Sequence, residues 1–394
     1  LLLCHRVPFP PDRGDKVRAF HLLRHLAGHG RVHLAAFADD PRDLGHEAAL
    51  SAHAASTRVV WRGKGRARAS IEALATGRPV SLTAFDHPAM RRAVADLIAT
   101  RPIDTIVVFS GQMAQYLPVG GTHRTVMDFV DMDSAKFAAY AQAARPPMRW
   151  MLAREARLLR GFETTVASCV DASLFVSAAE AALFRDATGA GRVAVMENGI
   201  DTRFFDPAAA TAVGDAGPWI VFTGQMDYRP NVDAVGWFAR DVLPRIRACH
   251  PDARFAIVGR QPTPAVTALG RLPGVRVTGE VADVRPWLAA ASVAVAPLQL
   301  ARGVQNKVLE AMAMARAVVA SPAAAEGIDH AGTIRSADDA DAFAAAVCTL
   351  LDAPDAAAAL GRAARAQVIA RYGWDARLAA IDPLLHAGGA QAAA

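Results

Sequence analysis

The stretch Arg302-Gly303-Val304-Gln305-Asn306-Lys307-Val308-Leu309-Glu310-Ala311-Met312-Ala313 decides the reading of this chain. The apolar run at 293–297 before it reads as a buried strand, and the run at 317–320 after it reads as another. Between them lie a polar, Gly-containing turn and a short helix opening with Lys307 and Glu310. A loop that feeds a helix N-terminus gathers free backbone N–H groups and positive dipole at one point, which suits a phosphate. Lys307 opposes that dipole, so helix stability does not explain its place. Glu310 can accept hydrogen bonds from a ribose diol. The pattern predicts a nucleotide diphosphate at the end of a parallel sheet. The alternative is a surface helix with an incidental Lys and Glu.

Outward from this stretch, strand-like and helix-like segments alternate, as in a parallel α/β protein. Strands are expected at 1–4, 32–37, 103–109, 126–130 and 172–176. A second series is expected at 219–222, 254–258, 275–278 and 293–296. Helical faces are expected at 18–27, stopping at Gly28, then at 89–99 and 231–248, and through most of 337–385. Ser177 and Glu180 read as a capping box. Residues 207–218, rich in Ala, Gly and Pro, read as a linker. The expected organisation is a first domain at 1–206, the linker at 207–218, a second domain at 219–372 and a final helix at 373–390. The chain begins inside a strand-like run without Met, so either a few native residues precede it or an unusual start was chosen.

With 394 residues and 53% hydrophobic content, two α/β domains can each fill a core. No apolar run of about 20 residues predicts a membrane span. Cys4, Cys169, Cys249 and Cys348 form no Cys-x-x-Cys pair and read as reduced, buried residues of a cytosolic protein. The net charge of +5 comes with Arg scattered through amphipathic segments and no nucleic-acid-binding signature. Nucleic acid is therefore excluded; phosphorylated ligands and an anionic membrane surface are not. The helix carrying Arg149, Arg157 and Arg160, with Arg154 nearby, offers a basic face opposite Met148, Met151, Leu152, Leu159 and Phe162, which reads either as a contact for anionic lipid or as a solvated face over core packing. His21, His25, His29 and His33 recur every four residues. A helix stopping at Gly28 would put only the first two on one face, so no metal site is expected.

Three further segments carry candidate chemistry. Val221-Phe222-Thr223-Gly224-Gln225-Met226 is a strand ending in a glycine, which either lets a ligand approach the backbone or is an ordinary strand-ending glycine. Pro8 to Arg18 holds Gly14, Asp15, Lys16 and Arg18 at a helix start. It reads either as a contact for a diphosphate or acceptor phosphate, or as a solvated basic loop. Val126 to Phe137 brings Asp128, Asp131 and Asp133 to a strand end. No Gly-x-Gly-x-x-Gly followed by an acidic residue marks a dinucleotide fold.

The Leu309-Glu310-Ala311-Met312-Ala313 helix and the Ala317-Val318-Val319 strand resemble the donor-binding signature of the retaining family 4, or group 1, glycosyltransferases. Asp227 to Asn231, Pro8 to Arg18 and Val126 to Phe137 resemble the members found beside exosortase polysaccharide systems. The resemblance implies a GT-B architecture: two Rossmann-like domains facing across a cleft, with a C-terminal helix crossing back to the first. It implies donor contacts from Gly14, Gly224, Gln225, Arg229, Val281, Gly303, Val304, Gln305, Asn306, Lys307 and Glu310. Arg229 and Lys307 would neutralise the diphosphate, and Asp131 would meet the transferred sugar. Asp15, Lys16 and Arg18 would lie on the acceptor side. The expected partners are a UDP- or GDP-linked sugar and a saccharide or lipid-linked acceptor, with peripheral contact at the inner face of the cytoplasmic membrane. No cofactor beyond the donor is expected. The family carries a Glu where this chain has Arg302, which either selects an acidic substrate or turns outward. That departure leaves open a nucleotide-sugar epimerase and an inactive nucleotide-sugar-binding partner.

Overall fold

The computed structural model describes residues 1–11, 14–118, 120, 122–214, 217–299 and 304–386. The chain forms two compact units. One comprises Leu1–Asn198 and the described residues from Arg377 onward; the other comprises Gly199–Ala376.

Among the described residues, the first unit holds a seven-stranded sheet. Its strands are β1 (Leu2–Cys4), β2 (His33–Ala38), β3 (Ser56–Trp61), β4 (Thr105–Phe109), β5 (Arg124–Val130), β6 (Ala172–Phe175) and β7 (Val193–Val195). They lie in the order β3-β2-β1-β4-β5-β6-β7. The second unit holds β8 (Trp219–Thr223), β9 (Arg254–Val258), β10 (Val275–Gly279), β11 (Ala291–Ala296), β12 (Val318–Ala320) and β13 (Ile334–Ser336), ordered β10-β9-β8-β11-β12-β13. The two orders are the same Rossmann-like pattern, all parallel. Strand order reverses between β1 and β4 in one unit and between β8 and β11 in the other. Such switch points open crevices beyond the C-terminal strand ends, where ligands bind.

β1 explains why central strands read as unbroken apolar runs. Leu2 pairs with Leu34 on one side and Val107 on the other, and Leu2, Leu3 and Cys4 are fully buried. Aromatic packing fixes each core. Phe129 stacks on Phe175 at 5.4 Å, and Phe175 meets Phe184 at 4.5 Å. In the second unit Phe238 lies 4.5 Å from Phe255.

Several expectations differ from the structure. The first helix runs Gly14–His29, past Gly28, because a glycine in the last turn costs too little to end a helix. Residues 207–218 are not a free tether: Pro207–Ala209 form a 3-10 turn, and the Val213 amide donates to the Pro286 carbonyl at 3.2 Å. The chain changes unit earlier, at Asn198–Gly199, because the Ile200 amide already bonds the Tyr372 carbonyl at 2.7 Å. The C-terminal segment is not one helix but three short pieces: Trp374–Leu378, Ala379–Ile381 and Asp382–Leu385. Pro383 lacks the amide a continuous helix needs. Cys4 is buried, Cys348 is half-buried, and Cys169 and Cys249 are exposed, so burial holds for only part of the set. No single described helix is long and apolar enough to cross a membrane.

Candidate active site

Two strand-end glycines build the floor of a cavity in the second unit. β8 runs into Gly224 and β9 into Gly259. A Cβ added to Gly259 would stand 1.6 Å from the Gly224 carbonyl oxygen, so only glycine lets the two turns pack. A Cβ added to Gly224 would meet Asn231 Nδ2 at 2.9 Å and Lys307 Cε at 3.5 Å. The turns after β8, β9 and β10 and the start of the helix Asn306–Ala313 enclose about 530 Å³ at the β8/β11 switch point. That volume falls within the range of small-molecule sites.

Lys307 stands in the first turn of its helix. Its Nζ donates to Asn231 Oδ1 at 2.5 Å and lies 4.6 Å over the Phe222 ring. Both contacts favour a cation held away from water. Asn231 is buried and donates its own Nδ2 to the Gln225 carbonyl at 2.8 Å. Burial lowers the Lys307 pKa to about 8, with Glu310 pulling the other way. Glu310, one turn further, opens part of its surface to the cavity while lying deep in the unit. Burial raises its pKa to about 7, with Lys307 opposing the shift. Opposite shifts on a neighbouring acid and base in one cleft are the pattern that functional sites favour.

The helix start adds to the positive potential. Gln305, at the N-cap, makes no side-chain cap bond, and the first turn carries no acidic residue. The leading amides therefore stand at the cavity wall without a capping carboxylate. Arg260 lines the opposite side and donates to Gln225 Oε1 at 3.2 Å. Val258, Val281 and Val284 supply an apolar wall. The arrangement offers two cations and an uncapped helix start to an anion, a carboxylate to a diol, and apolar surface to a flat ring.

Residues 217–353 match the family model "Glycosyl transferases group 1". No curated protein matches the chain. Solved structures with the same fold include sucrose-phosphate synthase from Thermosynechococcus elongatus, 19% identical over 96% of each chain with a TM-score of 0.58. The Anabaena HepE protein in complex with UDP and glucose is 15% identical over 96% of this chain and 97% of its own, with a TM-score of 0.57. A glycosyltransferase from Rickettsia africae ESF-5 is 14% identical over 96% of each chain, with a TM-score of 0.61. Residues 217–353 are thus matched to a group 1 glycosyltransferase domain, and the chain has the fold of GT-B glycosyltransferases.

The cavity gathers Gly224, Gln225, Val281, Val304, Gln305, Asn306, Lys307 and Glu310. Gly303 and Arg302 lie outside the described residues. Arg229 is not part of the wall. Its side chain, at the start of the helix Arg229–Trp237, is 92% exposed and pairs with Asp233 one turn on at 3.5 Å. Arg260 supplies the guanidinium instead. Sequence reading missed Arg260 and Asn231. Arg260 directly follows Gly259, a strand-end glycine of the same kind as Gly224, and that was the available signal. Asn231 gave no signal, since its role depends on the fold.

The first unit also differs from expectation. Lys16 and Arg18 are not free for an acceptor. Lys16 is buried and donates to Asp43 Oδ1 at 2.8 Å. Arg18 is buried too, donating to Asp128 at 2.8 and 3.1 Å, to Asn198 Oδ1 at 2.9 Å and to the Met196 carbonyl at 2.7 Å. Lys16 turns toward the Pro41–Gly45 turn after β2 and Arg18 toward β5, and each buried charge is met there by a carboxylate. Asp15 pairs with Arg6 at 2.5 Å and His5 at 3.1 Å, which hold its carboxyl well below the usual range. Gly14 opens the helix in free space, with nothing within 4 Å of an added Cβ.

Asp131 is exposed after β5, beside Val130, whose φ of 71° is strained for a β-branched residue. The backbone here is held by Glu180, which accepts from the Met132 amide at 2.8 Å rather than closing the capping box begun by Ser177. His5, at the end of β1, keeps its buried Nδ1 without a partner among the described residues. It stacks on Phe109 at 5.6 Å, and no motif marked it beforehand.

Proposed function

We propose that the enzyme moves a glycosyl group from a UDP- or GDP-linked sugar to a saccharide or lipid-linked acceptor, with retention of configuration, in exopolysaccharide assembly. The reading places it with the retaining family 4 enzymes near exosortase systems, through the Leu309–Ala313 motif. The observation that carries it is the single helical turn that sets Lys307 and Glu310 into the Gly224 cavity. The diphosphate sits against Lys307, Arg260 and the helix start; the ribose diol donates to Glu310. The sequence resemblance and the UDP held by the Anabaena HepE structure favour a nucleoside diphosphate, with uridine the first base to test.

In this reaction the bond between the anomeric carbon and the diphosphate oxygen breaks, and a bond to the acceptor oxygen forms on the same face. The acceptor proton passes to the departing phosphate. The protein contributes positioning and charge stabilisation of that diphosphate. The route needs no metal in the chemical step, so EDTA leaves turnover unchanged. Incubation with UDP- and GDP-sugars and acceptor panels, with the product anomer read by NMR, tests the proposal. No nucleotide release from any donor would end it.

Exposed Met148, Trp150 and Met151 open the helix Met148–Cys169, flanked by exposed Arg145, Arg149 and Arg157. This apolar and cationic surface fits a peripheral contact with anionic lipid. It is narrower than the sequence suggested, because Arg160 bonds Ser134 Oγ at 3.1 Å and Arg154 bonds the Ala73 carbonyl at 2.8 Å. Sedimentation with phosphatidylglycerol vesicles, but not phosphatidylcholine, is expected, with loss in Trp150→Ala. Equal binding to both lipids would remove the electrostatic reading.

A further inference from the structure

The first helix presents His25 and His29, one turn apart, to Asp382 of the C-terminal segment. His25 Nε2 lies 2.6 Å from Asp382 Oδ1 and His29 Nε2 lies 3.1 Å from the same oxygen. The two rings stand 5.0 Å apart, and the three ligand atoms fall within 4.8 Å of one another. Histidines at i and i+4 on a helix are a standard pair of metal ligands, since that spacing points both rings one way. Four ligands at zinc–nitrogen distances stand about 3.3 Å apart in a tetrahedron. The two histidine–carboxylate distances need to open by less than an ångström to reach that spacing.

The carboxylate is held in place before any ion arrives. Leu378, Ile381 and Leu385 around it are buried. Thr105 Oγ1 donates to the Leu385 carbonyl and Arg124 Nε to the Leu384 carbonyl, both at 3.0 Å. Backbone already fixed in this way lowers the ordering cost of a site. A protein-only account must place two imidazole N–H donors on a single carboxylate oxygen. A cation replaces both protons and satisfies all three groups.

We propose that His25, His29 and Asp382 bind one divalent transition-metal ion of the zinc class and so fasten the C-terminal segment to the first helix. Two imidazoles and one carboxylate select zinc, cobalt or nickel over magnesium or calcium, which prefer all-oxygen ligands. His29 and Asp382 are each about one-third exposed, at 34% and 37%, which leaves room for water as a fourth ligand. The ion would act on stability, because these residues belong to the first unit and the donor cavity to the second.

The test uses the untagged full chain after dialysis against chelator. Cobalt(II) titration should give visible d–d absorption that saturates at one ion per chain, and zinc should bleach it. Zinc should also raise the melting temperature. His29→Ala and Asp382→Asn should each weaken cobalt binding at least tenfold and abolish the zinc-dependent shift. UDP binding should be the same with and without zinc, which separates this site from the donor cavity. Should Asp382→Asn fail to fold, His29→Ala, at a one-third-exposed side chain, still decides the matter. Absence of one-to-one cobalt binding, or unchanged binding in both variants, would overturn the proposal.

Discussion

The Lys307 ammonium donates to Asn231 Oδ1 at 2.5 Å, and Asn231 in turn is tied to the Gln225 carbonyl. One buried amide thus aims the cavity's cation and anchors the turn after β8. Asn231→Ala leaves Lys307 half-buried without its partner, a loss worth about 1–3 kcal/mol. UDP or GDP affinity measured by calorimetry is expected to fall roughly tenfold or more, by the usual conversion of such an energy. Lys307→Ala should lower it further and cut turnover while leaving the melting temperature little changed. Unchanged affinity in both variants would place the diphosphate elsewhere.

Glu310 and Lys307 predict a pH window. Glu310 is raised from 4.5 to about 7 in the fold, so its contribution to stability is present below pH 4.5 and is lost as pH climbs toward 7. Lys307 is lowered from 10.5 to about 8, so its contribution is present above pH 10.5 and is lost as pH falls through 8. The unliganded pair is therefore least stabilising between about pH 7 and 8. That same window holds Glu310 ionised for a diol and Lys307 charged for a diphosphate. Nucleotide affinity should peak there, and the ligand-induced rise in melting temperature should be largest there. Glu310→Gln should remove the acid limb and weaken binding by about 2 kcal/mol. A flat affinity profile from pH 6 to 9 would contradict the assignment.

The sequence revealed what depends on local pattern and hid what depends on tertiary contacts. Buried central strands such as β1, β4 and β11 were legible because parallel strands covered on both faces read as apolar runs. Strand β3 mixes exposed and half-buried positions, and β7 and β13 have three residues each, so none gave a period to detect. In the site, Glu310, Lys307 and Gly224 were legible because strand–turn–helix chemistry is local. Arg229 misled because its distance from Gly224 in sequence says nothing about which way a helix start faces. Lys16 and Arg18 misled for a related reason. Their carboxylate partners, Asp43 and Asp128, are remote in sequence and meet them only once the sheet forms.

Gly259 predicts a test of the cavity floor. Its Cβ would collide with the Gly224 carbonyl, and neither strand end can yield without shifting β8 or β9. Gly259→Ala should destabilise the second unit by about 1–3 kcal/mol, as overpacking does, and abolish nucleotide binding. Gly14→Ala, placed in open space, should change the denaturation midpoint little. Normal nucleotide affinity in Gly259→Ala would mean the floor is not where the ligand lies.

Arg18 and Asp128 make the sharpest distinction between structure and function. Arg18 is 1% exposed and Asp128 fully buried, and the guanidinium reaches both carboxylate oxygens as well as Asn198 and Met196. Removing one partner strands the other charge in the sheet, at a cost of about 3–5 kcal/mol. Arg18→Met should therefore lower the denaturation midpoint sharply. Replacing both partners, as Arg18→Met with Asp128→Leu, removes both charges together and should recover much of that loss. If Arg18 instead contacted an acceptor phosphate, the single variant would keep its stability and show a raised KM for the acceptor. A double variant that regains stability with an acceptor KM near wild type would assign Arg18 to the fold, whereas unaltered stability in Arg18→Met with a raised KM would return it to the active site.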